Sequence, residues 1–505
     1  MRRSLPHPLC MLGLAAAFAH AAAPDLRLIQ AIKNHDDASA RALLAQHADV
    51  NAQQGDGATA LHWAAYRDDL TMADALIRAG ARVDTANDLG ATPLHLACTN
   101  RSAPMVDRLL AAKANPNARL LDGETVLMTC ARAGSAAAVK ALLVHGADSK
   151  AKEPEHSQTA LMWAAAEKHP DVTALLIEFG ADVRARSVSY AQTVVGESTQ
   201  RAGREELNYS VTRGGSTPLL FAARSGDADS AKFLLSAGAD PNDALPDGTS
   251  ALVLAAMSGH RDVSIVLLDK GAKPNDLGVG YTALHAAILR GDLDLVKALV
   301  AHGANPNLRM TKGTPVRRNS TDYFLLAPLV GVTPYLLAAK FLEPEMMQVL
   351  LAAGADPTLT MPDGATAVML AAGAGSPTNA DRRGINVIDF GKVEPDAKVL
   401  PAVEAAWRAD ANLTASDTAG NTALHAAVTH RYPSVVQFLV EHGAPLNVRN
   451  HAGRRPQDLL ATSVRSGERP VALTSIGTLN SARDTAEDTA SEQIEAVLAK
   501  AAGAK

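Results

Sequence analysis

Four of the chain's 16 histidines stand in one recurring phrase, Thr-(Ala/Pro)-Leu-His, at His62, His95, His285 and His425. Imidazole is the commonest side chain for general acid–base work and metal binding, so a repeated histidine is where chemistry should first be sought. Cys98 and Cys130 add thiols in the same stretch of chain, and a thiolate is both nucleophile and metal ligand. Nothing nearby completes a catalytic set. The chain has no nucleophile elbow, no H-E-x-x-H, no C-x-x-C and no Walker loop. Gly278 with Gly280, and Gly373 with Gly375, are lone pairs outside any strand–turn–helix context. The 53 carboxylates fall mostly in turn sequences. The expectation is a chain with no enzymatic activity, no cofactor and no metal site.

The histidine phrase belongs to a longer rhythm. Complete copies begin at Thr59, Thr92, Thr282 and Thr422, and looser ones at Thr125, Thr159, Thr217, Ser250, Thr333 and Thr366. Successive starts are 33, 33, 34, 58, 33, 32, 51, 33 and 56 residues apart. Six gaps are one period and three are a period plus an insertion, the mark of a repeat architecture. A second phrase, Gly-Ala-(Asp/Asn), keeps the same beat at Gly146, Gly180, Gly238, Gly303 and Gly354. Each copy encodes two helices. Threonine caps the first, and Pro93, Pro218 or Pro334 is pre-set for its first turn. A Leu-x-x-Ala-Ala run gives that helix a small-residue face. The second helix carries i, i+3, i+4 apolar stripes such as Val139, Leu142 and Leu143. Gly80, Gly146, Gly238 and Gly443 end second helices, and Asp-Gly pairs at 122, 247 and 363 turn the chain onward.

This pattern resembles the ankyrin repeat family, whose signature is G-x-T-P-L-H-x-A, a second helix and G-A-D-x-N. The match runs from about Pro24 to about Leu460. It implies an all-α solenoid of about eleven helix–turn–helix units plus a partial C-terminal one, with β-hairpin-like fingers and three loop insertions. By the same resemblance His62, His95, His285 and His425 are structural, their side chains bonding within and between units. Successive repeats also hold them about one helix diameter apart, too far to share a metal with bonds near about 2 Å. Cys98 and Cys130 occupy positions where other repeats carry Ala64, Ala65, Ala286 and Ala287. Stacked helices sit about 9–10 Å apart, beyond the Cα reach of a disulfide of about 7 Å, so two separate buried thiols are expected.

The remaining chain sets the organisation. Arg2 and Arg3, the apolar run Leu9 to Ala19, and Ala19 and Ala21 as an A-x-A site read as a cleaved export signal over residues 1–21. The mature chain is expected in a periplasm if the source is bacterial, or secreted otherwise, with no membrane span. The solenoid is assigned to 22–465, and a polar tail to 466–505. In that tail 462–488 reads as disordered, and Glu492 to Ala502 as a short capping helix. Insertions fall near 187–214 and 309–330, in fingers, and near 373–398, between two helices of one unit. With 47% hydrophobic residues, 4% aromatic ones and a net charge of −5, the composition suits close-packed helices and lacks the basic excess of a nucleic-acid binder.

In the resembled family, partners touch the finger tips and the ends of the first helices. Carried over, those ends fall on Tyr66, Arg67, Asn100, Arg132, Arg224, Met257, Arg290, Lys340 and Phe341. The second insertion adds Arg317, Arg318, Tyr323 and Phe324, a basic and aromatic mixture suited to recognition. The cations either form a basic groove that steers an acidic partner or pair with finger carboxylates Asp88, Asp122 and Asp247. The leading expectation is an exported, monomeric scaffold binding another protein. A small-molecule or cofactor site built by the insertions, and a secreted effector acting on host proteins, are the alternatives.

Overall fold

A computed structural model describes residues 25–197, 206–314, 323, 325, 327–375, 395–460 and 477–503. The chain divides into two compact units, Met1–Ala147 and Asp148–Lys505. The first contains four helix pairs, Arg27–Lys33 with Asp37–Ala45, Ala60–Tyr66 with Leu70–Arg78, Pro93–Thr99 with Ala103–Ala111, and Val126–Ala133 with Ala136–Val144. The second contains seven, with first helices beginning at Ala160, Pro218, Ala251, Ala283, Pro334, Ala367 and Ala423. A 3-10 turn at Pro456–Leu459 stands in for a twelfth first helix. Eleven pairs and a partial repeat are thus present among the described residues.

The first helices are only five to eight residues long, too short to persist alone, and stacking supplies what their length does not. Within each unit the first helices after the opening Arg27–Lys33 turn a pair of small side chains inward, Ala64–Ala65, Ala97–Cys98, Ala222–Ala223, Ala255–Ala256 and Ala338–Ala339 among them, and these five pairs are fully buried. Their N-termini are fixed by the recurring histidine. The backbone N–H of Thr59, Thr92, Thr282 and Thr422 donates to Nδ1 of the histidine three residues on, at 3.1, 3.2, 3.3 and 3.1 Å. Nδ1 must therefore be unprotonated, which leaves the proton on Nε2. That N–H donates onward to the next repeat, from His62 to the Ala91 carbonyl (2.9 Å), His285 to Val332 (3.3 Å) and His425 to Arg454 (3.1 Å). His95 turns the same atom toward the Glu124 carbonyl without completing the bond. One ring so caps its own helix and ties down the next repeat. Repeats lacking histidine improvise: at Thr125 the acceptor is the Met128 thioether, 3.4 Å away.

The same small-residue face overturns the expectation for the cysteines. Cys98 and Cys130, both fully buried, form a disulfide with a Cα–Cα distance of 4.6 Å. The 9–10 Å spacing used above separates helix axes. Cα atoms lie about 2.3 Å off the axis, so two that face each other are closer by about twice that, inside bridging range. The side-chain row that lets alanines touch is the one that lets these sulfurs bond.

A second ladder runs where each finger begins. Asn51, Asn117, Asn242, Asn275 and Asn307 each donate to the carbonyl of the glycine ending the next second helix, Gly80, Gly146, Gly271, Gly303 and Gly354. Four of these side-chain oxygens also accept an N–H from that next repeat, at Arg82, Lys273, Asn305 and Asp356. The 187–214 insertion is a true hairpin, strands Ser189–Glu197 and Glu206–Gly214 paired antiparallel from Ser189↔Gly214 to Glu197↔Glu206. The tail differs from its reading: the terminal helix spans Gly477–Gly503 and packs Ile494 and Leu498 against the last second helix, Pro433–Glu441. No helix among the described residues is long and apolar enough to cross a membrane.

Replacing both Cys98 and Cys130 by alanine, the residue other repeats carry there, should destabilise the N-terminal repeats by about 3–4 kcal/mol, the chain-entropy value for a loop of this length. Denaturant melts of the double variant and of reduced wild type should coincide; equal stability of oxidised and reduced wild type would refute the bridge's role. Burial holds all four capping histidines below their usual pKa, His95 and His285 at about 4. Above about pH 6.5 they are neutral in folded and unfolded chain alike. As pH falls from there toward 4, only the unfolded chain takes up these protons, so stability declines over that window. H285Q should melt with a shallower pH slope than wild type between pH 6.5 and 4; an unchanged slope would exclude this assignment.

Candidate functional site

The chemistry-bearing side chains are spent inside the repeats. The histidines cap helices, the cysteines are bonded, and among the described residues no three His, Cys, Asp or Glu side chains are grouped to hold a metal. What the repeats present outward is the row of first-helix ends and the edge of the fingers.

Most of the cations at the helix ends do something other than either sequence expectation. A helix leaves its last carbonyls without partners, and here the adjoining repeat supplies donors. Arg67 donates to the Lys33 carbonyl, Asn100 to the Ala65 and Tyr66 carbonyls, and Arg290 to that of Met257 (2.8 Å). Lys340 reaches forward to the Gly375 carbonyl at 3.1 Å, and its burial brings the ammonium pKa down to about 8. Positive charge at a helix C-terminus also meets the negative end of the dipole. Arg132 instead pairs with buried Glu124 at 3.2 Å. Among the described residues no ion pair joins these cations to Asp88, Asp122 or Asp247, although the Arg224 pKa, lowered by burial, is raised against that by the Asp247 charge. Arg224 is exposed and its guanidinium has no hydrogen bond or ion pair among the described residues, although its own carbonyl accepts from His260 Nε2 (3.0 Å). Met257 and Phe341 are half-buried. Tyr66 is 57% exposed, edge-on to Trp63 at 5.8 Å, with the Lys33 ammonium 4.5 Å over the indole.

The second insertion folds back on this row. Met310 N–H donates to the Val332 carbonyl at 2.9 Å, Thr314 N–H donates to the Leu325 carbonyl at 2.7 Å, and Met310 and Leu325 are buried. Tyr323 then lies 4.4 Å under the Arg290 guanidinium, a cation–π contact that covers that helix end. Arg317, Arg318 and Phe324 lie outside the described residues.

The fingers form a continuous edge in the first unit and separate joined pairs in the second. In the first, Asp88 N–H donates to the Asp56 carbonyl (2.9 Å) and Leu121 N–H to that of Leu89 (3.0 Å). Similar rungs in the second join Val188 to His156, Thr311 to Gly280 and Thr418 to Asp363. Leu89 and Leu121, absent from the sequence-derived site, are 70% and 77% exposed at their tips. Their signal was an apolar residue directly before the turn, in Asp88-Leu89-Gly90 and Leu121-Asp122-Gly123.

At the hairpin's base the asparagine ladder is broken, because Arg184 occupies the asparagine position. It donates to the Gly238 carbonyl through Nε and NH2 (3.2 and 3.1 Å) but cannot accept in return. A cleft of about 500 Å³ opens there, lined by Val183, Arg184, Arg186, Thr217, Asp240 and Asp243. Asp243 holds both Arg186 and the Thr217 hydroxyl.

Comparison with known proteins accords with this geometry. A family model described as ankyrin repeats (3 copies) matches residues 28–119, 104–187, 219–310 and 335–450, and one described as ankyrin repeats (many copies) matches 161–235. Among solved structures, the human ASB11 ankyrin repeat domain is similar at 26% identity over 49% of this chain and 98% of that one, with a TM-score of 0.40. With family-model matches over more than half its length, the chain belongs to the ankyrin repeat family.

Proposed function

We propose that this chain is an exported protein-interaction scaffold that performs no catalysis and takes its partner on the first-helix ends and fingers. The observation that carries this reading is the division of labour just described. Reactive side chains are consumed in holding repeats together, while a backbone-braced edge is left facing solvent. Ankyrin repeats are in general protein-binding modules, and the rigidity of the edge favours binding by lowering the ordering cost. The Cys98–Cys130 bridge supports export, since stable disulfides belong to oxidising compartments. A periplasm is the compartment the leader sequence favours.

Arg224 and Arg290 separate surface from scaffold. R224E should still give a folded, cooperatively melting chain, at a modest cost from setting a second carboxylate near Asp247, and weaken capture of the partner from the native compartment. R290E should lower the melting temperature, because it removes the bond to the Met257 carbonyl and the contact with Tyr323. Undiminished capture by R224E would remove the second unit's helix ends from the interface.

The cleft beside the hairpin favours a second reading, a small-ligand site, since its volume falls in the usual range of about 300–1,000 Å³. A thermal-shift screen of metabolites should then give a stabilising compound whose effect R184A abolishes. A screen without a hit sensitive to R184A would leave protein binding as the sole reading.

A further inference from the structure

We infer that the finger edge of the first unit, with Leu89 and Leu121 among Asp56, Asp88 and Asp122, docks a partner segment that combines apolar residues with lysine or arginine. This rests on the protein-binding reading above and specifies where the partner sits and what it is made of.

Rigidity comes first. The tips are joined by main-chain bonds, and the joint tolerates no side chain at Gly90. Its φ is +80°, and a Cβ there would lie 2.8 Å from the Leu121 nitrogen. The two leucines are therefore presented at fixed positions, on neighbouring repeats about 10 Å apart. Of the large hydrophobic side chains exposed among the described residues, these two are the most exposed. In the second unit two turns carry proline before the aspartate instead, at Pro246-Asp247 and Pro362-Asp363, and the leucine of a third, Asp276-Leu277-Gly278, is half-buried.

Charge then selects the partner. Asp56, Asp88 and Asp122 are exposed on the same edge, and none forms an ion pair with a described residue. Asp56 is kept ionised by hydrogen bonds from the Ala58 N–H and the Gln54 amide, and Asp122 accepts the Glu124 N–H. The cations that might have neutralised them are committed elsewhere. Arg67 is on the Lys33 carbonyl, Arg132 on Glu124, and Arg119 holds the Gly123 carbonyl at 2.9 Å. Apolar tips flanked by unpaired carboxylates complement apolar residues flanked by cations, the reverse of the acidic partner that the cationic helix ends suggested.

The test is to pan the full chain with a phage-displayed random dodecapeptide library and measure the selected peptides by calorimetry. Enrichment of Lys or Arg beside Leu, Ile or Phe is expected. L121S and L89S should each weaken binding about tenfold or more, as hot-spot residues do, and D88N/D122N should weaken it and flatten its salt dependence. Melting curves of these exposed-site variants should match wild type. Acidic peptides, peptides indifferent to these variants, or no peptide above background would overturn the assignment. So would a concentration-dependent dimer in sedimentation that L121S dissolves, which would make the occupant a second copy. Capture of a native partner that tolerates L121S but not R224E would sink this surface while sparing the proposed function.

Discussion

The close approach of first helices across their alanine faces is the constraint on which the rest depends. It fixes one repeat distance, and each lateral bond is cut to that length. The imidazole spans it between a helix N-terminus and the next repeat's carbonyl. The asparagine amide spans it at the finger's start. Backbone alone spans it at the finger tips. A larger side chain in the Ala-Ala row would lengthen all three at once. Interiors pack too densely to absorb added volume without moving backbone. The cysteine pair is the one substitution in that row that shortens nothing and adds a covalent bond.

Most of the fold was legible because it is written in periodic positions. The threonine caps, the histidines and the three broken intervals lead directly to eleven helix pairs and to a hairpin where a finger was lengthened. What escaped the sequence was geometry finer than the period. Cys98 and Cys130 were separated by an axis distance when the relevant one was between facing Cα atoms. The terminal helix begins at Gly477, in a stretch whose Ser, Thr and Arg content signals disorder, because tertiary contact at Ile494 and Leu498 outweighs composition.

The site was legible only in outline. Position alone marks Arg67, Asn100, Arg290 and Lys340 as helix-end residues, but not that each has an unpaired carbonyl within reach. Sequence weighs a cation against carboxylates, because those are visible as letters, whereas the orphan carbonyls of a short helix belong to every residue. With eleven pairs of short helices, such carbonyls are abundant and buried enough to outcompete an exposed aspartate for a guanidinium. Finger carboxylates are then left over, which inverts the apparent charge of the surface.

The insertions complete this inversion in the second unit. Tyr323 of one lies on Arg290, and Gly375, at the edge of another, accepts from Lys340. Insertions thus cover helix ends that a plain repeat array would expose. The first unit has none, its intervals being one period throughout, and two of its turns carry exposed leucine where two of the second unit's carry proline. An apolar side chain on an exposed turn gains nothing for folding, since it stays in water in both states. A contact outside the chain is where it would contribute, and the disulfide lies between the same two repeats whose first helices follow those turns. Covalent reinforcement of two repeats stabilises their turns in one arrangement, which matters most where a partner reads both turns together.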